Sequence, residues 1–238
     1  MRVAALADVH GNAPALAAVL EEVERERPDL VVFCGDLTWG SLPQQTLELV
    51  RAMAITARFV RGNADRMVGV ETEGRGPWMT QQHTPEDLAF LAGFEPTVDV
   101  DVDGLGLTCF CHGSPRSDEE CVTERTPEAR VREFMDGRDE TVVVTAHVHL
   151  QYDRSLDWIR QIGPGSVGLP YGGQRGLAYW ALLGPEVEQR STEYDMDAAI
   201  ALMQATDDPR VEAVVELMLD PPSRDDVIAD AERRVFAG

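Results

Sequence analysis

The sequence predicts a layered α/β fold, and three observations predict it. Short apolar runs alternate with amphipathic helical stretches through the amino-terminal quarter. From Thr97 the hydrophobic period changes to two, as in antiparallel strands. Motifs rich in Asp, Asn and His fall again and again where an apolar run ends, the position at which sites collect in open α/β sheets.

The elements follow in order. Residues 2–7 are a short apolar strand running into Asp8, too short and too soon interrupted for a signal peptide. Asn12 can cap the next helix, with Pro14 in its first turn and a stripe of Leu16, Val19, Leu20 and Val23. Pro28 ends it. Residues 29–34 form a second buried strand opening onto Gly35-Asp36, 43–54 a helix, and 55–60 a third strand opening onto Gly62-Asn63. The stretch 67–82, with Gly69, Gly74, Gly76 and Pro77, reads as an irregular surface loop. Thr84-Pro85-Glu86-Asp87 starts a helix ending near Phe94. Asp103-Gly104 is a hairpin turn between strands 98–102 and 105–111, and His112 ends the second of them. A helix over 127–136 and a strand over 141–146 lead to His147-Val148-His149. Strands are expected at 157–162, 176–183 and 186–194, and acidic helices after that, broken at Pro209 and Pro221-Pro222. No repeat or linker divides the chain, so 1–238 reads as one domain, with a core over 1–195 and a helical acidic extension over 196–238.

Composition narrows the function. The 238 residues carry 42 acids against 21 bases, all of the bases arginine, for a formal charge of −21. Such a surface repels phosphate backbones, so long DNA or RNA is not an expected partner. About six of the acids read as a solvated acidic carboxy-terminal region rather than a specific partner site. No apolar run nears the ~20 residues that span a bilayer. Cys34, Cys109, Cys111 and Cys121 lack the spacing of a zinc site and read as buried reduced thiols, which places the chain in the cytoplasm.

Four of the five histidines and both asparagines lie in the strand-end motifs: Asp8-Val9-His10-Gly11-Asn12, Gly35-Asp36, Gly62-Asn63, Cys111-His112-Gly113 and His147-Val148-His149. Asp8 and His10 are two apart and can face one mouth, as can His147 and His149. Carboxylate, amide and imidazole donors together suit borderline divalent metals, and a carboxylate such as Asp36 can bridge two. Two such ions about 3.5–4 Å apart clamp the attacking and leaving oxygens of a phosphoryl displacement and turn water into hydroxide near neutral pH. They also supply the local attraction for an anionic substrate that an acidic protein otherwise lacks.

These motifs, in this order, resemble the calcineurin-like metallophosphoesterases, in particular the small bacterial YfcE-like branch. The likeness runs from residue 1 to about residue 195 and includes Asp65 after Gly62-Asn63 and the stretch Pro164-Gly165-Ser166-Val167. It implies a β-sandwich flanked by helices and two divalent ions drawn from Mn, Fe, Zn, Co or Ni. One would be held by Asp8, His10, Asp36 and His149, the other by Asp36, Asn63, His112 and His147. It further implies hydrolysis of a small phosphodiester, nucleotide or phosphomonoester by metal-bound hydroxide. A non-catalytic scaffold of the same fold and a protein Ser/Thr phosphatase are the alternatives. Oligomeric state is not legible.

One position departs from the pattern. Many members carry histidine after the motif asparagine, where it contacts the scissile phosphate; here Ala64 stands there. General-acid help is typically worth about 10²–10⁴-fold, so esters with good leaving groups are favoured. His83 is the candidate replacement acid, set against a plain exposed residue before a helix. Asp65 is expected to orient loops. Arg61, Arg66 and above all Arg116 can fork onto a phosphate, with a surface ion pair as the competing role. Trp39 and Trp78 can stack on a base or simply pack. Gly163-Pro164-Gly165-Ser166-Val167-Gly168 has dinucleotide-loop spacing, but Leu169-Pro170-Tyr171-Gly172-Gly173 cannot open the helix such a loop requires, and Ser166 lacks nucleophile-elbow spacing.

Overall fold

Alternation within the first strand sets the layers. In the computed structural model, which describes residues 1–234, β1 (Val3–Leu6) is buried along its whole length. Val3 and Ala5 face one core while Ala4 and Leu6 face another, because successive side chains leave a strand on opposite sides. α1 (Ala13–Glu26) follows, its first turn closed by Asn12, whose Oδ1 accepts the Ala15 amide at 3.2 Å. Arg27 in the left-handed region ends it before Pro28. β2 (Leu30–Phe33), α2 (Pro43–Ala52) and β3 (Ala57–Phe59) complete a parallel trio with β1.

The region expected as an irregular loop holds one short helix. After α3 (Asn63–Met67), α4 (Gly76–Gln81) forms inside it. Pro77 lies in the first turn of α4, where its missing N–H costs nothing, so a proline read as a breaker is an initiator. α5 (Pro85–Ala92) carries a capping box, in which Thr84 accepts from the Asp87 amide and Asp87 from the Thr84 amide. β4 (Thr97–Val102) and β5 (Gly106–Cys111) pair antiparallel across a turn with Gly104 at φ 74°, as the Asp103-Gly104 signal implies.

α6 (Glu128–Phe134), β6 (Val142–Thr145), β7 (Gln151–Ser155) and β8 (Arg160–Pro164) follow. β7 was not foreseen: Gln-Tyr-Asp-Arg-Ser buries only Tyr152 and forms a sheet edge, so it carries no apolar alternation. β8 begins three residues later than the expected strand. β9 (Leu177–Leu183) and β10 (Val187–Glu193) return to the first sheet, and α7 (Met196–Gln204), α8 (Val211–Leu219) and α9 (Arg224–Arg233) end the described chain.

Two five-stranded mixed sheets result, ordered β10-β9-β1-β2-β3 and β4-β5-β6-β8-β7. Their facing sides share an apolar core of Val3, Ala5, Val32, Phe110, Val144 and Ile162. α1 and α2 cover the outer face of the first sheet with Leu16, Val19 and Leu47, and α6 covers the second with Val131 and Phe134. This is the β-sandwich flanked by helices. All four cysteines are buried and unpaired, and among the described residues no helix is long and apolar enough to cross a membrane.

Two acids of the carboxy-terminal region are held by the core: Asp208, between α7 and α8, is 3% exposed and gripped by Arg75, and Glu232 accepts hydrogen bonds from Thr123 and Thr126. The last four residues of the expected extension lie outside the described residues.

Candidate metal centre

Main-chain hydrogen bonds between strand-end loops build the centre before any side chain contributes. The Asp8 amide donates to the Gly35 carbonyl at 3.0 Å and the His10 amide to the Asp36 carbonyl at 2.9 Å, so the loops after β1 and β2 are zipped together. In the second sheet, Ala146 N–H donates to His112 O at 2.7 Å and ties the loop after β6 to the end of β5. The loop after β8 joins the two: Gly168 N–H and the Ser166 hydroxyl both donate to Asp8 O, at 3.0 and 2.8 Å. The Gly163–Gly168 stretch is therefore a strap under Asp8, and fully buried Ser166 is its pin.

The loops turn sharply. Six described non-glycine residues have positive φ, and five of them are Asp8, His10, Asp36, His147 and His149. Asp and His are enriched among residues that tolerate this left-handed region, which still costs on the order of 1 kcal/mol or more apiece. Backbone strain is thus concentrated on the residues with chemistry. Two motif glycines are dictated by crowding: a Cβ on Gly62 would lie 2.1 Å from Asp36 Oδ1, and one on Gly35 (φ 93°) 2.4 Å from His112 Nδ1.

All seven predicted ligand residues converge. Asp8, His10 and His149 form one group, with His10 Nε2 3.1 Å from His149 Nε2 and His149 Nε2 3.5 Å from Asp8 Oδ1. Asp36, His112 and His147 form the other, with His112 Nε2 3.1 Å from His147 Nδ1 and 3.0 Å from Asn63 Oδ1. Asp36 Oδ2 stands between the groups, 3.6 Å from His10 Nε2 and 3.5 Å from His112 Nε2.

Three imidazoles are oriented from behind by backbone carbonyls: His10 Nδ1 by Trp39 O (3.2 Å), His112 Nδ1 by Cys34 O (2.9 Å) and His149 Nδ1 by Leu169 O (2.6 Å). A carbonyl partner requires Nδ1–H, which turns each Nε2 lone pair inward. Asp8 Oδ1 is buried with no hydrogen-bond partner. Inward lone pairs on several rings, an orphan carboxylate oxygen and a shared carboxylate suit cations and little else. The residues fit a pair of divalent ions.

Electrostatics agree. Burial drives the His10, His147 and His149 imidazoles toward the neutral form that ligates metal, His147 down to about 4. Burial pushes the Asp8 carboxyl up. It acts the same way on Asp36, but facing His112 more than offsets it and holds Asp36 well below the usual carboxylate range. His112 is raised to about 10 against its own desolvation by the Asp36 charge.

The remaining candidates separate. His83 is 7% exposed, its Nδ1 against Met79 O (2.7 Å) and its Nε2 against Thr38 Oγ1 (3.1 Å), so it is not the exposed residue expected, and it does not line the cavity over the centre. Arg116 is clasped by Glu120 and Glu133, and Arg66 by Asp118 and Glu119. Arg61 lies 4.0 Å from Asp118, and none of the three arginines lines the cavity over the centre. Asp65 orients loops, accepting the amides of Asp36, Leu37 and Gly62. Trp39 lines the cavity, whereas Trp78 packs and donates to Asp207 at 2.8 Å.

The sequence profile of the calcineurin-like phosphoesterase superfamily domain matches residues 1–183. The chain belongs to that superfamily. Among solved structures, this calcineurin-like chain is similar to a metallophosphoesterase from Sphaerobacter thermophilus, 24% identical with a TM-score of 0.69, over 91% of this chain and 99% of that one. A hypothetical protein from Pyrococcus horikoshii OT3 is 20% identical with a TM-score of 0.73, over 91% and 97%. The phosphoesterase YfcE from E. coli is 19% identical with a TM-score of 0.50, over 82% and 100%. At these identities the likeness is one of fold. None of the curated proteins compared with it by sequence is a match.

Several residues that shape the centre carry no sequence signal. Tyr171 stacks on His149, ring centroids 4.5 Å apart at 18°. Gly40 packs so closely that a Cβ there would overlap His10 O, 1.6 Å away. The Trp39, Cys34 and Leu169 carbonyls act through the main chain, which residue identity does not announce. A cavity of about 830 Å³ opens over the centre, and its far wall comes from α8 and α9.

Proposed function

We propose that this chain is a dinuclear metal-dependent phosphoesterase acting on a small phosphorylated molecule, a phosphodiester or nucleotide ahead of a phosphomonoester. The observation that carries the proposal is the placement of Asp36 Oδ2 within 3.6 Å of a ring nitrogen in each donor group. Asp8, His10 and His149 would hold one cation, Asn63, His112 and His147 the other, and Asp36 both. When bound, two divalent cations supply Lewis-acid activation of water and neutralise charge on a phosphoryl group. The chain's own residues do the rest. The Trp39, Cys34 and Leu169 carbonyls fix the imidazole tautomers, Asp65 fixes the Asp36 loop, and Trp39 and Tyr171 border the space for the organic group.

An archaeal protein described as a novel phosphodiesterase shares the fold at 17% identity and a TM-score of 0.52, which supports a diester as the first substrate to try. A formal charge of −21 argues against long nucleic acids, and four buried thiols suit a cytoplasmic location. The test is hydrolysis of bis(p-nitrophenyl) phosphate with added manganese, abolished by a chelator. No turnover across a panel of metals and of mono- and diesters would overturn the reading.

A second reading, a binding module without catalysis, is favoured by Ala64. The fold also serves Vacuolar Protein Sorting 29 of Cryptosporidium parvum, 13% identical with a TM-score of 0.51. Two bound metals without turnover on any ester would select it. A Ser/Thr phosphatase would reveal itself on phosphopeptides.

A further inference from the structure

The centre has two walls of different origin. One is the set of strand-end loops just described. The other is the carboxy-terminal extension, which begins beyond the residues matched by the superfamily profile. Polar contacts clamp it to the core close to the ligands, those of Asp208 buried and the others partly so. Asp208 takes Arg75 through both carboxylate oxygens and the Ser41 hydroxyl at 2.6 Å, one residue from the Gly40 that packs on His10. Trp78 holds Asp207, Gly172 N–H donates to Pro222 O at 3.1 Å, and Arg224 pairs with Glu124. The Arg75–Asp208 pair is buried, so breaking it would leave a charge without a partner, and the wall is a fixed part of the cavity at this end.

The wall's chemistry is specific. Val214, Leu217, Val227 and Ala231 line the cavity together with Leu169 and Tyr171, so the space beyond the metal ligands is mostly apolar, with Asp226 and Asp230 also in its lining. Four arginines also line it. Arg75 is spent on Asp208, while Arg233 and Arg234 face Asp230. Arg210 has no carboxylate partner among the described residues, although the chain has twice as many acids as bases. Its own amide is fixed by Asp208 Oδ1 at 2.9 Å, which anchors its backbone.

We propose that α8 and α9 are the substrate-selecting wall of this phosphoesterase, and that Arg210 reads a second negative charge on the substrate. The substrate class is a phosphate ester whose organic group is ring-sized and apolar-faced and bears another anionic group away from the scissile phosphate. This inference rests on the phosphoesterase reading above.

Three non-hydrolysable probes test it by calorimetry on the manganese-loaded full chain: methylphosphonate, phenylphosphonate and 4-carboxyphenylphosphonate. Burial of the ring against Leu217 and Tyr171 is expected to make phenylphosphonate bind about ten-fold tighter than methylphosphonate. The added carboxylate is expected to gain about five-fold more, the scale of a partly exposed ion pair. R210A should bring the affinities of the two aryl probes to within two-fold of each other, R210K should keep part of the difference, and L217D should remove the advantage of the ring over the methyl group. Equal affinity of all three probes for the wild type, or a carboxylate preference surviving R210A, would overturn this inference alone. Failure of every phosphonate to bind a chain shown to hold two manganese ions would overturn the phosphoesterase reading with it.

Discussion

Asp65 grips the loop that carries Asp36: one of its oxygens accepts the Asp36 amide at 2.8 Å and the Gly62 amide at 2.9 Å, and the other takes Leu37 at 2.8 Å. A buried carboxylate thus holds the backbone on both sides of the carboxylate shared by the two donor groups. Burial and the nearby Asp36 charge push the Asp65 carboxyl up to about 7, so this grip is made against a desolvation cost. D65N keeps the shape but turns an NH₂ toward main-chain amides. It is expected to cost about 1–3 kcal/mol of stability and to weaken metal binding about 10–100-fold. Urea unfolding and metal titration check it; wild-type metal affinity in D65N would show that the loop holds without Asp65.

D36N removes the charge between the two groups while sparing the other six ligands. Metal content by elemental analysis is expected to fall from two ions per chain to one or fewer, with turnover lost. Two tightly held metals in D36N would show that Asp36 does not link the groups.

Tyr171 lies flat on His149. Y171F preserves the stack and is expected to bind metal as the wild type does. Y171A frees the ring to tilt, and the ion beside Asp8 is expected to bind about ten-fold more weakly, at the low end for groups that orient a ligand. Equal losses in the two variants would assign the effect to the hydroxyl instead.

Ala64 puts no imidazole beside the scissile bond, although its amide still braces Asp36 Oδ1 at 2.9 Å. Rates on aryl phosphodiesters are therefore expected to fall steeply as the leaving-group pKa rises. A64H is expected to flatten that dependence by up to about 10²-fold on the poorest leaving group. A shallow slope in the wild type would reveal an acid elsewhere in the cavity.

Asp87 supplies the pH dependence of one helix start. Burial would raise its carboxyl, but Arg51, Gln44 and Thr84 together hold it well below the usual range. A depressed folded-state value means stability present above the unfolded value of about 3.9 and lost as pH falls toward the folded one. D87N is expected to cost about 1 kcal/mol at pH 7, with Arg51 half exposed and contributing modestly. The gap between variant and wild type should narrow below about pH 4. A gap that is constant from pH 7 to pH 2.5 would contradict this account.

The motifs were legible because ligands must sit where strands end, and period-two and period-3.6 patterns reveal where strands end. Asn12 capping α1 and Asp103-Gly104 turning the β4–β5 hairpin were legible for the same local reason. What escaped is non-local. β7 is polar because it is an edge, α4 hides its start behind a glycine and a proline, and the ends of Arg116 and His83 depend on partners 17 and 45 residues away. No periodicity shows that Asp208 reaches back to Ser41, 167 positions earlier, so the helical wall over the centre was invisible in the chain alone.

Five left-handed ligand residues have a thermodynamic corollary. At about 1–2 kcal/mol each, less for the aspartates, their conformations together rival the 5–15 kcal/mol by which a typical domain is folded. Neighbouring loops must impose those turns, and cations that bind only the turned form add their binding energy to folding, about 4 kcal/mol at a thousand-fold excess over Kd. The metals would then act as keystones as well as reagents, and stripping them would lower the melting temperature as surely as it stops turnover.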